Sequence, residues 1–163
     1  MKILVFLQGT TIMHQGGLGR PRGARVRQVI DGEPSVLDFS SYVPIGRAAA
    51  KLRAWQNEGA DIAYVTSRRT PEDVTEDEAL LRKHGFPPGP VLSRGHGCTY
   101  GDLVEGAAPD VLVEDDCESI GGAPQTASAQ LSPAVRARIR VVCVREFGGI
   151  DDLPDRLNAP EEP

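Results

Sequence analysis

Apolar positions along this chain follow two rhythms. Runs dominated by branched side chains occupy residues 3–7 (Ile3, Leu4, Val5, Phe6, Leu7), 62–65, 91–92, 110–113 and 140–144. Such runs, without polar alternation, are expected of strands covered on both faces. Between them, apolar positions recur every three or four residues. Over 46–57, Ala49, Leu52 and Trp55 share one face of a helix that Gly59 is placed to end. Over 71–84, Thr70 offers an N-cap, Pro71 suits the first helical position, and Glu72 and Asp73 complement the positive helix end. A shorter helix is expected over 100–105. Two further runs, 26–30 and 35–39, flank Asp31-Gly32-Glu33-Pro34. The Asp-Gly pair reads as a hairpin turn, because glycine accepts a positive φ at no steric cost, so these runs are predicted as two strands of a flap.

Strands that alternate with helices point to parallel pairing, because each parallel crossover needs room for a helix. The predicted fold is a three-layer α/β/α sandwich with a mostly parallel, Rossmann-like sheet and a small β-hairpin flap. Residues 1–157 read as a single domain, and 158–163, made of Asn, Ala, Pro and Glu, as a flexible tail.

Composition removes several classes of function. At 40% apolar and 25% charged residues the chain has the make-up of a globular domain, and a net charge of −5 argues against a nucleic-acid partner. No apolar run reaches the length of a membrane helix, and the first strand is too short for a signal peptide, so no membrane association is expected. Cys98, Cys117 and Cys143 form no C-x-x-C pair, which suits a reducing compartment and a cytoplasmic location.

In sheets of this kind ligands meet the carboxyl ends of the strands. The residues there are Gln8 to Thr10, Thr66 to Arg69, Ser93 to Arg94 and Glu114 to Asp116. In order, Phe6-Leu7-Gln8-Gly9-Thr10, Ile62-Ala63-Tyr64-Val65-Thr66-Ser67-Arg68, Arg94 and Val111-Leu112-Val113-Glu114-Asp115-Asp116 resemble the four motifs of the haloacid dehalogenase-like hydrolase superfamily. The resemblance spans residues 1–145, and too few residues separate the first two motifs for a large cap domain. It implies that Gln8, Gly9, Thr10, Thr66, Ser67 and Arg94 line a pocket for a phosphate-bearing ligand. It also implies that Glu114 and Asp115 are what remains of a Mg²⁺ site.

The departure from the family is chemical. Its first motif carries two aspartates, a nucleophile and a general acid-base, and here Phe6 and Gln8 stand in those places. A phenyl ring attacks nothing, and a carboxamide shuttles no proton near neutrality. No catalytic residue is therefore assigned. The expectation is a pseudoenzyme that binds a small anionic ligand or a protein partner at the former active-site mouth, with a homodimer as a separate option. The alternative is an active Mg²⁺-dependent phosphatase or other hydrolase with a non-standard catalytic residue. Arg68 and Arg69 would add charge-assisted bonds to the same anion or be solvated surface groups. The plain reading of Glu114 to Asp116 is a strand end followed by a helix that Asp116 caps.

The glycine- and arginine-rich segment 14–25 precedes a predicted strand rather than a helix, so it reads as a flexible flap, not a phosphate loop. His96 and Cys98 are a nucleophile-and-base pair only if their side chains meet. His14 and His84 read as surface or loop histidines, and Cys117 and Cys143 as small, at least half-buried side chains.

Overall fold

Alternate residues of the first strand face opposite ways, and the layers follow from that. The computed structural model describes residues 1–157, so the predicted tail 158–163 lies outside the described residues. Along the chain come β1 (Lys2–Phe6), β2 (Ile12–Met13), α1 (Arg22–Ile30), α2 (Pro34–Leu37), β3 (Val43–Pro44), α3 (Ala48–Asn57) and β4 (Asp61–Val65). They are followed by α4 (Pro71–Lys83), β5 (Val91–Leu92), α5 (Tyr100–Ala107), β6 (Val111–Asp115), α6 (Pro133–Arg136) and β7 (Arg140–Val144). Ile3 and Val5 join Leu52, Trp55, Leu80 and Leu81 of α3 and α4 on one side of the sheet. Leu4 joins Val104 of α5, Ala127 and Ile139 on the other. The three layers are thus helices, sheet and helices, as predicted.

The five-stranded sheet has the order β5-β4-β1-β6-β7, with every neighbouring pair parallel. The chain winds outward from β1 through β4 to β5, then returns to lay β6 and β7 on the other side. The strand order therefore reverses at β1, and such a switch point opens a crevice at the carboxyl ends of the strands. Thr70 caps α4 by accepting from Asp73 N–H, and Thr99 forms a reciprocal capping box with Asp102 at the start of α5.

The predicted flap takes another form. Residues 26–30 and 35–39 are not strands: the first belongs to α1, and the second spans α2 and a 3₁₀ turn, Phe39–Ser41. Val26 is buried and Val29 half-buried, a spacing of three that suits a helix face. The Asp-Gly turn does form, with Gly32 at φ +65°, but it joins two helices, because Asp31 N–H bonds back to Arg27 O and closes α1. The antiparallel pair is β2 with β3, which brackets this helical excursion. The segment 14–25 is likewise folded: it holds a 3₁₀ turn, Gln15–Gly17, and the first turn of α1, tied down by Arg25 to Gly17 O at 3.0 Å and Phe147 O at 2.8 Å.

His14 is not on the surface. It is fully buried, with Nε2 3.0 Å from Gln28 Oε1 and its ring edge-on to Tyr42 and Phe147. It pins the ribbon to α1. His84, half-buried, ends α4. Cys143 is exposed rather than buried, because it points from the edge strand, whereas Cys117 is half-buried.

Candidate functional site

At the switch point the chain leaves β1 through Leu7, whose carbonyl accepts from the N–H groups of Thr10, Thr11 and Ile12. This tight turn needs Gly9 at φ +86°, and a side chain there would meet Asp115 Oδ2 at 2.9 Å. The turn points Gln8 toward β4 and Thr10 toward β6.

Gln8 closes one half of the site. Its Oε1 accepts from Ser67 N–H at 2.9 Å, and its Nε2 donates to Thr66 Oγ1 at 3.1 Å and Asp77 Oδ2 at 3.2 Å. Thr66 donates in turn to Asp77 and accepts from Arg68 N–H at 3.0 Å. Thr66 Oγ1 and Ser67 N–H, at the place where the resemblance puts a phosphate, are therefore already engaged by Gln8 and Asp77. Asp77 is almost fully buried on α4, and burial pushes its carboxyl above the usual range against the opposing pull of Thr66, Arg68 and Gln8.

On the other half, Thr10 donates to Asp115 Oδ2 at 2.7 Å and Cys117 N–H to Asp115 Oδ1 at 2.9 Å. Glu114 turns away from this pair and accepts from Ala127 N–H at 2.8 Å and more weakly from Ser128 N–H. Asp116 caps no helix. The chain passes from it through Cys117, at φ +53°, into a 3₁₀ turn, Glu118–Ile120, and Asp116 Oδ1 instead accepts from Glu146 N–H at 3.0 Å. Glu146, just past β7, accepts from Ser119 N–H and Oγ at 2.6 and 2.7 Å. Asp115, Asp116 and Glu146 each bring a carboxylate oxygen within 4.8 Å of the others, a trio that does not include Glu114.

No family model and no curated protein matches this chain. Between the two halves lies a cleft of about 210 Å³. Phe6, Gln8 and Gly9 line its floor, Tyr100 and Ile120 form part of its walls, and Arg68, Asp115 and Glu146 also face it. Phe6 contacts Tyr100 edge-on at 5.1 Å, and Arg94 lies 3.9 Å over the Tyr100 ring, behind that wall. Arg68 is only 8% exposed, with its guanidinium 3.1 Å from the centre of the Phe39 ring, and its Nε and Nη2 have no hydrogen-bond partner. Ser67 and Arg69 are exposed, as are His96 and Cys98 on the turn before α5. Burial pushes the Cys117 thiol well up, and partial desolvation together with the nearby carboxylates of Glu114, Asp116 and Asp115 raises the thiol of the exposed Cys143 to about 11, so neither is an activated nucleophile.

Asp77 and Glu146 do not stand out in the sequence. Asp77 sits among Glu72, Asp73, Glu76 and Glu78, which read as a solvated acidic face; its signal is the spacing of three and four to Leu80 and Leu81, which puts it on the buried stripe. Glu146 comes two residues after the last apolar run and obeys the same strand-end rule as the four motifs.

The buried carboxyls make a prediction about pH. Asp77, Glu114, Asp115 and Glu146 are all raised above their ordinary values of 3.8 and 4.5, with burial the largest cause in each. The folded state therefore holds these protons more tightly than the unfolded one. The stability they contribute is present below the ordinary carboxylate values and is lost as pH rises through the raised ones. The thermal midpoint should be higher near about pH 5 than near about pH 8, and Glu146→Gln should flatten that slope. A midpoint that climbs steadily over the range would contradict the assignment.

Proposed function

We propose that this chain is a catalytically degenerate protein of the haloacid dehalogenase-like kind, which binds a small anionic ligand in the switch-point cleft without turning it over. The observation that carries the reading is Arg68, a guanidinium at the cleft with two nitrogens, Nε and Nη2, that no protein acceptor satisfies. Buried guanidinium nitrogens without acceptors are costly even when the group stacks on Phe39, and a carboxylate or phosphate entering the cleft would offset that cost with charge-assisted bonds of about 1.5–3 kcal/mol. The missing chemistry supports it too. Phe6 puts a ring where the family has its nucleophile, and Gln8 uses its carboxamide to hold Thr66, Ser67 and Asp77. A cytoplasmic location accords with three free cysteines. No helix among the described residues is long and apolar enough to cross a membrane.

One observation favours a second reading, a Mg²⁺-dependent hydrolase. The first motif supplies no carboxylate, but Asp115, Asp116 and Glu146 are oxygen donors of the type a hard cation takes.

The deciding experiment titrates benzoate and inorganic phosphate against thermal stability in the native protein and in Arg68→Gln, beside hydrolysis of a phosphate-ester panel with Mg²⁺. Saturable stabilisation by either anion, weakened about tenfold or more in the variant and without turnover, is expected. Equal stabilisation of both proteins would remove Arg68 from the site. Turnover that vanishes in a variant carrying Asp115→Ala and Asp116→Ala would establish the hydrolase instead.

A further inference from the structure

The anion is half of what the cleft is built to receive. Opposite Arg68, on the β6 side, Asp115 and Glu146 face the same space, and among the described residues no Lys or Arg lies within ion-pair distance of either. Arg22 and Arg145 are taken by Glu118 at 2.6 and 3.7 Å, and Arg22 Nη1 also donates to the main-chain O of Glu146 at 3.2 Å. The carboxylates of Asp115 and Glu146 accept only from neutral donors, the N–H groups of Cys117 and Ser119 and the hydroxyls of Thr10 and Ser119. The cleft thus has at one end a guanidinium, stacked on Phe39, whose Nε and Nη2 lack acceptors, and at the other two carboxylates without an ion-pair partner. Between them the wall is largely apolar, with Phe6, Tyr100 and Ile120.

We propose that the cleft is a two-ended site for a zwitterion: an anionic group pairs with Arg68, a primary ammonium is received by Asp115 and Glu146, and an apolar or aromatic body lies over Phe6 and Tyr100. The proposal rests on the anion-binding reading above and names the class of molecule that reading leaves open. Geometry sets the size. Arg68 lies just past β4 and Asp115 ends β6, with β1 between them, so their strand ends lie two strand spacings apart, roughly 10 Å. Both side chains reach inward, which suits charges separated by a ring or a short alkyl chain. An ammonium also fits the wall better than Mg²⁺ does, because Mg²⁺ keeps several of its waters and a ring edge cannot hydrogen-bond them. A primary ammonium has three donors on one compact head and can bring its own apolar stem. The ammonium accounts for the carboxylates of Asp115 and Glu146, and the anion for the Nε and Nη2 of Arg68.

The test compares molecules that differ by one end. Para-aminomethylbenzoate carries both charges, para-toluate lacks the ammonium and benzylamine lacks the anion. Each is titrated into the full chain with a chelator present, by calorimetry and by thermal shift, and Mg²⁺ alone is titrated without it. The zwitterion should bind about tenfold or more tightly than either single-ended analogue, and that advantage should disappear in Glu146→Gln and in Asp115→Asn. Because the analogues are compared on the native protein, the result survives even if a variant fails to fold. Para-toluate binding as tightly as the zwitterion, with both lost in Arg68→Gln, would overturn the two-ended site and leave the anion reading standing. Benzylamine binding as tightly as the zwitterion, or no binding by any of the three, would overturn both. Saturable stabilisation by Mg²⁺ alone that displaces the zwitterion would assign the carboxylates to a metal and sink the ammonium end.

Discussion

Gln8→Glu destabilises the native protein by about 3–5 kcal/mol at neutral pH, the range for an uncompensated buried charge, and the loss shrinks as the pH is lowered. The new side chain has the same shape, but its carboxylate replaces an amide nitrogen that donates to Asp77 Oδ2 from 3.2 Å. Two carboxylates that close cannot both ionise, so one proton is shared and the pair titrates far above the ordinary range. Stability that depends on the shared proton is complete below the ordinary carboxylate values and disappears as pH rises through the pair's raised one. Adding Asp77→Asn to the same protein should recover most of the loss, since the amide and the carboxylate have then changed places. Chemical denaturation at two pH values reads both effects. A Gln8→Glu protein as stable as the parent at neutral pH would mean that Gln8 and Asp77 do not face each other as described. The result bears on function, because it shows position 8 committed to an amide that supports Thr66 and Ser67.

The second large effect is expected far from any charge. Gly89 lies between Pro88 and Pro90, and a methyl group on it would sit 2.1 Å from Ile62 O in β4. Neither neighbour allows the loop to bend away, because each proline fixes its own φ. Either Gly89→Ala pushes the loop off β4, breaking the bond from Tyr64 N–H to Pro90 O that starts the β4–β5 ladder, or β4 itself shifts under Thr66. The expected loss is about 3 kcal/mol or more, in the range reserved for backbone strain and overpacking. Ser93→Ala, half-buried just past the other end of β5, is a control expected to change stability by less than about 0.5 kcal/mol. Urea unfolding of the two variants measures the contrast.

The sheet was readable because its strands are buried on both faces, so their apolar runs are unbroken, and because Thr70 and Pro71 mark the start of α4 without help from the rest of the chain. The flap was not readable. Val26, Val29 and Ile30 satisfy a helix pattern, but so short a run beside an Asp-Gly turn fits a strand equally well, and only packing against the ribbon and Phe147 decides. The site was legible as a set of strand ends, since Gln8, Thr66 and Asp115 do converge there. Its charges were less so. Arg68 and Arg94 carry the same side chain at the ends of neighbouring strands, and nothing local tells which one faces the cleft and which lies behind Tyr100. Asp77 was hidden because its one mark, the spacing to Leu80 and Leu81, is drowned by the acids around it on the same helix.

The central position of β1 has a consequence during synthesis. Its neighbours in the sheet begin at Asp61 and Val111, so the apolar run of β1 has no sheet partner until dozens of further residues have been made. At about 5–20 residues per second, the wait for β6 lasts roughly 5–20 seconds, long enough for a nascent-chain chaperone to engage it. The cleft is assembled from the ends of β1, β4 and β6, so it exists only once that wait is over. Any molecule that binds there meets only chains in which β1, β4 and β6 have come together, and acts as a selective stabiliser of that folded state.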